Sequence, residues 1–205
     1  MTTRMTDPGT GGDDRLDTSA IAQVRAYWEA LRTGDSVPLR ARIDPRGIAG
    51  ALDRAFLIER IAPGLAQFRI AGMACNRLFG MEARGLPLSN LFLAESRMQL
   101  QIGLERVFAG PGALHLWLRA ERRAGRGETL ARMDLLPLLN HAGQCTMALG
   151  CLALPQDAGA ETRFAIRSSR FDPVASPEVA EPPADAPANP FRPARAHLRL
   201  VHSAG

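Results

Sequence analysis

The order of apolar segments along residues 55–154 restricts the possible folds more than any other feature of this sequence. Two short strand-like runs, 55–61 and 65–71, flank a turn-forming Ala-Pro-Gly triplet, and a helical stretch follows them. Three further strand candidates close the series: 113–122, 128–139 and 143–154. Because these late strands are joined by short turns, they should pair as antiparallel hairpins. The sequence therefore predicts an α+β domain with one antiparallel sheet and helices gathered on one face.

Two longer helices are indicated by apolar residues that recur at steps of three and four. The first spans 19–33, and its apolar stripe consists of Ile21, Val24, Trp28 and Leu31. The second spans 94–109, and its apolar face consists of Leu100, Leu104, Val107 and Phe108. Shorter helices are predicted at 73–80 and at 45–53, where Asp44 precedes Pro45 as an N-cap precedes the first helical residue.

Composition divides the 205-residue chain into a foldable centre and two tails. Residues 1–18 are rich in Gly, Thr and Asp, and residues 156–205 are rich in Pro and Ala. Both segments lack the apolar content that a core requires. We therefore expect 1–18 to be a disordered tail and 156–205 to be largely disordered. The remaining residues 19–155, roughly 135 in number, suit a single domain.

The sequence favours a cytoplasmic protein. It has no apolar run near the roughly 20 residues that a membrane helix requires, and no signal-peptide stretch follows Met1. The three cysteines, Cys75, Cys145 and Cys151, are odd in number, far apart and set among apolar residues. We expect reduced, buried thiols rather than disulfides or a metal site.

Several short motifs, in their order, carry a resemblance to a known family. Residues 68–72, Phe-Arg-Ile-Ala-Gly, run into 76–80, Asn-Arg-Leu-Phe-Gly, and then into 85–88, Gly-Leu-Pro-Leu. Upstream, a Tyr27-Trp28 pair in a helix precedes an Asp-Pro segment. Over residues 20–155 the chain resembles a PAS domain, and more narrowly the small bacterial single-domain PAS proteins of largely unassigned function.

This resemblance implies a five-stranded antiparallel sheet of order 2-1-5-4-3, with helices packed over one face. It also implies that the core between helices and sheet can hold a small ligand. The candidate lining residues are Phe68, Phe79, Leu100, Leu104, Phe108, Met133 and Met147. The alternative is a filled core, because native interiors are packed to crystal-like density.

No cofactor, metal or catalytic centre is predicted. Helix 94–109 lacks the histidine that ligates the iron in haem-binding PAS domains, so haem would need His115 or His141. Cys75 lies too early for the flavin-adduct motif of photosensory PAS domains. No histidine has the sequence context of a nucleophile and base, no metal-ligand cluster occurs, and a chain without lysine has no phosphate-binding Gly-Lys loop. We therefore expect a protein that is not an enzyme.

The resemblance implies a sensory or regulatory module that acts through an unidentified signalling protein. The apolar stripe of helix 19–33 could pair two copies into a homodimer, or it could cover the chain's own sheet. A different function is that of a scaffold without sensing, which binds partners through its C-terminal tail. There, the basic and apolar run 192–201 could add a strand to a partner.

Nucleic-acid binding is a weaker alternative. The net charge is +4, and the one cluster of arginines brackets a predicted hairpin turn: Arg119, Arg122, Arg123 and Arg126. Aromatic residues that could stack on bases are not interleaved with them. The pattern therefore favours solvated turn charges.

Overall fold

A computed structural model describes residues 16–34, 36–121, 129–155, 158–160 and 162–174. The α-helices are α1, Ser19–Leu31; α2, Met73–Phe79; and α3, Ala94–Ala109. Short 3₁₀ segments occupy Arg40–Arg42, Pro45–Ala51 and Leu88–Leu91. The helices predicted around 19–33, 73–80 and 94–109 are therefore present.

The predicted helix at 45–53 forms as a 3₁₀ segment because its start is fixed and its middle is bent. The carboxylate of Asp44 accepts a hydrogen bond from the Arg46 N–H over 2.9 Å, and Pro45 presets the first φ angle. Ile48 then leaves helical geometry, with φ of −124° and ψ of 27°. This bend turns Ile48 and Ala51 into a buried layer beside α1.

Within the described residues, six strands form one antiparallel sheet of order β2-β1-β5-β4-β3-β6. The strands are β1, Ala55–Ala62; β2, Leu65–Ala71; β3, Gly112–Glu121; β4, Thr129–Leu139; β5, Cys145–Ala153; and β6, Arg163–Pro173. Gly64 and Gly143 have positive φ in the turns β1–β2 and β4–β5. The predicted order of the first five strands is confirmed.

Strand β6 corrects the expectation that everything after residue 155 is largely disordered. It pairs with β3 along its whole length, from Arg163 opposite Glu121 to Pro173 opposite Gly112. Its Phe164 is fully buried in the core. The start of β6 is also held on its other side, because the Leu93 N–H donates to the Phe164 carbonyl over 2.9 Å. The predicted disorder at 1–15 and 175–205 lies outside the described residues.

The sheet separates two apolar cores. Because side chains alternate along a strand, Phe56 and Ile58 of β1 point to one core while Leu57 points to the other. Helices α2 and α3 cover the first side, which we call the inner face. Helix α1 and the 3₁₀ segment Pro45–Ala51 cover the second side, the outer face. The helices α2 and α3 thus gather on one face, as predicted, and the N-terminal helix α1 covers the chain's own sheet, which is one of its two predicted roles. The short segment Pro45–Ala51 departs from the inner face, because the outer side of the central strands is itself apolar.

Candidate functional site

The inner core contains six of the seven residues predicted to line a ligand cavity. Four are at most 1% exposed: Phe68, Leu100, Leu104 and Met133. Phe108 is 5% exposed, and Phe79 packs at the margin of the same core. The amphipathic pattern of α3 thus places its apolar face on the sheet.

Met147 is the exception. It lies opposite Glu59 of β1 and packs with the outer core, on the side of the sheet away from α3. The reason is the alternation along β5, in which Ala148 and Leu152 face the inner core and Met147 and Leu149 face the outer one. Met147 is therefore removed from the predicted lining.

Neighbouring inner-core side chains contact one another closely. The Phe68 ring packs edge to face on Phe56, with ring centroids 5.2 Å apart, and on Phe79, with centroids 5.6 Å apart. Two glycines make room for large neighbours, because a Cβ at Gly150 would overlap the Phe56 ring and one at Gly103 would lie 2.8 Å from Leu114 Cδ2. These contacts favour a packed interior around Phe68.

All three cysteines lie in the described residues and are free thiols. Burial raises the pKa of Cys75 in the inner core to about 12, and the pKa of Cys145 to about 11. Burial, with the nearby Asp134 carboxylate as a smaller cause, raises the pKa of Cys151 to about 12. Thiols with such values are poor nucleophiles at neutral pH.

The apolar stripe of α1 is in contact with the chain's own sheet. Ile21, Val24 and Trp28 are at most 5% exposed, while Leu31 is half-buried. The Trp28 indole N–H donates to the Pro137 carbonyl oxygen over 2.8 Å. Of the two readings for this stripe, the structure therefore supports the cover over the sheet. A homodimer through the same residues would require α1 to leave it.

A group of ionisable side chains lies between α1 and the sheet, and we call it the polar cluster: Arg25, His115, Asp134, Arg170 and Asp172. His115 is fully buried and Asp134 is 1% exposed. The two residues face each other across β3 and β4, with His115 Nδ1 2.8 Å from Asp134 Oδ2. The other ring nitrogen, Nε2, lies 3.2 Å from Asp172 Oδ2. A buried imidazole thus has a carboxylate near each nitrogen.

Helix α1 contributes one cation to this cluster. Arg25 Nη2 lies 2.6 Å from Nε2 and 2.9 Å from Nδ1 of His115, and its Nε lies 3.8 Å from Asp134 Oδ2. At the rim, Arg170 Nη2 is 2.8 Å from Asp172 Oδ2. The side chains of Arg25 and Asp172 remain 35% and 46% exposed, so water reaches the edge of the cluster.

One feature of the sequence indicates this cluster. Asp134 stands between Met133 and Leu135 in an apolar strand, and a carboxylate at such a position needs a buried partner. His115, one of the two candidate haem ligands, lies on the face of β3 away from the inner core, because its neighbours Leu114 and Leu116 point into that core. His141, the other candidate haem ligand, is exposed in the β4–β5 turn.

The remaining predictions concern the arginine-rich hairpin turn, metal binding and membrane helices. Arg122, Arg123 and Arg126 of the arginine turn lie outside the described residues. In the part of the chain that is described, no group of three His, Cys, Asp or Glu side chains is placed to hold a metal ion. No helix among these residues is long and apolar enough to cross a membrane.

Comparison with known proteins agrees with the architecture. No curated protein matches the chain. Residues 16–153 match the family described as PAS domain, and this match runs from the approach to α1 through the end of β5. It spans well over half of the chain and leaves β6 beyond its end. The chain therefore belongs to the PAS domain family.

Proposed function

We propose that this PAS domain is a non-enzymatic sensory or regulatory module that acts by binding a signalling partner, and that α1 carries its response. PAS domains are generally sensory rather than catalytic, which supports the coarse assignment. The proposal that α1 carries the response is supported by the sheet that the inner and outer cores share. Strand β4 sends Met133 and Leu135 into the inner core and Leu136 and Leu138 into the outer core beneath α1.

A single sheet layer therefore connects the two cores mechanically. Phe68, Leu100 and Leu104 pack on one side of it, and Val24 and Trp28 of α1 pack on the other. Close-packed interiors transmit small displacements because they contain little free volume. A ligand or partner that shifts α3 or β4 would change the surface on which α1 rests.

Two measurements on the purified full chain test this function. Native mass spectrometry, compared with a denatured control, detects a bound small molecule and the number of subunits. Hydrogen exchange then compares α1 in the ligand-bound and ligand-free protein. We expect occupancy to change the exchange of α1 amides, and α1 exchange that ignores occupancy would refute the proposed coupling. A chain that carries no ligand would favour control by a partner alone.

A pair of leucine variants identifies where a retained ligand binds. Leu104→Ala opens the inner core at α3, whereas Leu136→Ala removes a leucine of similar burial from the outer core. If the ligand occupies the inner core, the first variant loses it or binds it more weakly, and the second keeps it. Equal retention by both variants would place the ligand elsewhere. The scaffold alternative depends on 192–201, which lies outside the described residues.

A further inference from the structure

Helix α1 and the outer core cover only part of the outer side of the sheet. On β3, Ala113 belongs to the outer core and His115 to the polar cluster. From there toward the β3–β4 turn, the described outer-side residues of β3, β4 and β6 belong to neither apolar core. Leu116 and Leu118 point into the inner core, so the residues between and beyond them point outward. This part of the sheet is therefore an open surface next to α1.

Arginines and one tryptophan occupy this open surface, which we call the basic face: Trp117 and Arg119 of β3, Arg132 of β4, and Arg163 and Ser168 of β6. Their side chains are half-buried. The adjoining polar cluster does not offset this charge, because its own arginines and aspartates are equal in number. The sequence of the segment 121–128 adds three arginines and two glutamates. The basic face therefore carries an excess of positive charge.

The arginines of the basic face follow a diagonal across three strands. Arg132 of β4 lies opposite Trp117, and Arg119 lies two residues further along β3. Arg163 of β6 lies opposite residue 121, two residues beyond Arg119. Diagonal neighbours of this kind are about 7–8 Å apart. Alternate side chains of an extended peptide are about 7 Å apart, so carboxylates at alternate positions match the spacing of these arginines.

Arg132 is oriented for binding an anion. Its guanidinium lies over the Trp117 ring, 4.7 Å from the ring centroid. Among the described residues, its buried Nε has no hydrogen-bond partner and no carboxylate pairs with the guanidinium. A guanidinium that is stacked in this way loses less conformational entropy when its planar fork binds a carboxylate.

We propose that the basic face is the docking surface for an extended acidic segment of the signalling partner, whose alternate carboxylates pair with the diagonal of arginines. This inference rests on the proposed function, because it names the chemistry of the partner. A nucleic-acid strand fits less well, since bases stack on exposed aromatic faces and Arg132 already covers a face of the Trp117 ring. A carboxylate needs only the edge of a guanidinium.

Fluorescence anisotropy with the full chain tests this surface. The probe is a short labelled peptide in which Glu alternates with Ser, and the reference peptide has Gln at every Glu position. We expect the Glu peptide to bind about tenfold more tightly or better, because only its carboxylates form charge-assisted hydrogen bonds. Its affinity should fall as the salt concentration rises. Equal binding of the two peptides, or no binding of the Glu peptide at low salt, would overturn the proposal.

Arginine variants locate the binding surface. Arg132→Gln should weaken the binding of the Glu peptide about tenfold or more, since it removes the charged fork. Arg77→Gln removes the same charge from an exposed position of α2, on the other side of the sheet, and should change the affinity less than about twofold. If both variants weaken binding equally, net charge explains the affinity and the docking surface is refuted. Arg163→Gln, at the start of the edge strand β6, gives the same test where circular dichroism shows that Arg132→Gln fails to fold.

Two further measurements separate this proposal from its alternatives. A single-stranded oligothymidylate that binds more tightly than the Glu peptide, and binds more weakly to Arg132→Gln, would assign the face to nucleic acid and overturn the peptide proposal. Hydrogen exchange of α1 is then compared with and without the Glu peptide. Peptide binding that leaves α1 exchange unchanged supports the docking surface and counts against the proposed response of α1. An α1 response to a ligand in a chain that binds no peptide has the opposite meaning.

Discussion

Replacing Trp28 with phenylalanine measures how firmly α1 is held on the outer face. The indole is 1% exposed, and its N–H donates to the Pro137 carbonyl oxygen over 2.8 Å. Phenylalanine keeps an aromatic ring but removes this donor. Losing the hydrogen bond and leaving a buried carbonyl without it should lower the free energy of unfolding by about 2 kcal/mol. For a domain of this size, the melting temperature should fall by roughly 4–8 °C.

Urea unfolding followed by far-UV circular dichroism measures this change without relying on the indole that is removed. The other tryptophan provides the matched control, because Trp117 is half-buried and stacks on Arg132 rather than anchoring a helix. Trp117→Phe should cost at most about 1 kcal/mol. If Trp28→Phe lowers the free energy of unfolding no more than Trp117→Phe does, the Trp28 indole does not anchor α1.

Three other predictions concern the packing and the thiols. Gly150→Ala should lower the free energy of unfolding by about 1–3 kcal/mol, since its Cβ would overlap the Phe56 ring, and an unchanged urea midpoint would contradict that contact. Phe164→Ala should cost about 3–5 kcal/mol, whereas a smaller effect than about 1 kcal/mol would mean that β6 is not part of the core. Burial raises the pKa of Cys75 and Cys151 from 9.0 to about 12. Their contribution to the free energy of unfolding is therefore complete below pH 9 and is lost as the pH rises toward 12. The urea midpoint should therefore fall above about pH 9, and it should fall less in the variant with both Cys75→Ala and Cys151→Ala. Few other groups titrate in this range, because the chain has one tyrosine and no lysine.

The hairpins of this fold could be predicted because their pattern is local. Short turns with Gly64 and Gly143 separate runs of strand-forming residues, and such neighbours pair without information from elsewhere in the chain. Strand β6 could not be found in the same way. Its partner β3 ends some 40 residues earlier, and the Pro and Ala content of 156–205 hides a short strand pattern in which Phe164, Ala165 and Ile166 lie between Arg163 and Arg167.

The inner core was predictable in outline and not in detail. In helix α3 the steps of four and three residues from Leu100 to Leu104 and Val107 assign these residues to the interior, although Met98 and Ile102 of the same helix are exposed. Strand β5 is buried on both faces and reads as a continuous apolar run, which does not tell which side a given residue takes. Met147 was assigned to the wrong face for that reason.

The polar cluster depends on information that a sequence pattern does not contain. Arg25 and His115 are 90 residues apart, and only the register of β3 with β4 and the seating of α1 bring them together. The isolated Asp134 in an apolar strand indicates that some partner exists. The position of Asp134 does not indicate which side chain is that partner.

The same cluster explains why α1 occupies one position on the sheet. Apolar contacts are non-directional, so the stripe formed by Ile21, Val24 and Trp28 could be satisfied by a helix shifted or rotated by a small amount. The hydrogen bond of Trp28 to Pro137 is directional, and Arg25 of the same helix contacts His115, so that together they select one position of α1. Stability gives no reason for this arrangement, because buried ion pairs replaced by apolar residues of similar volume often leave a protein as stable or more so. What the polar contacts add is direction, because apolar contacts alone would hold α1 without selecting one position on the sheet.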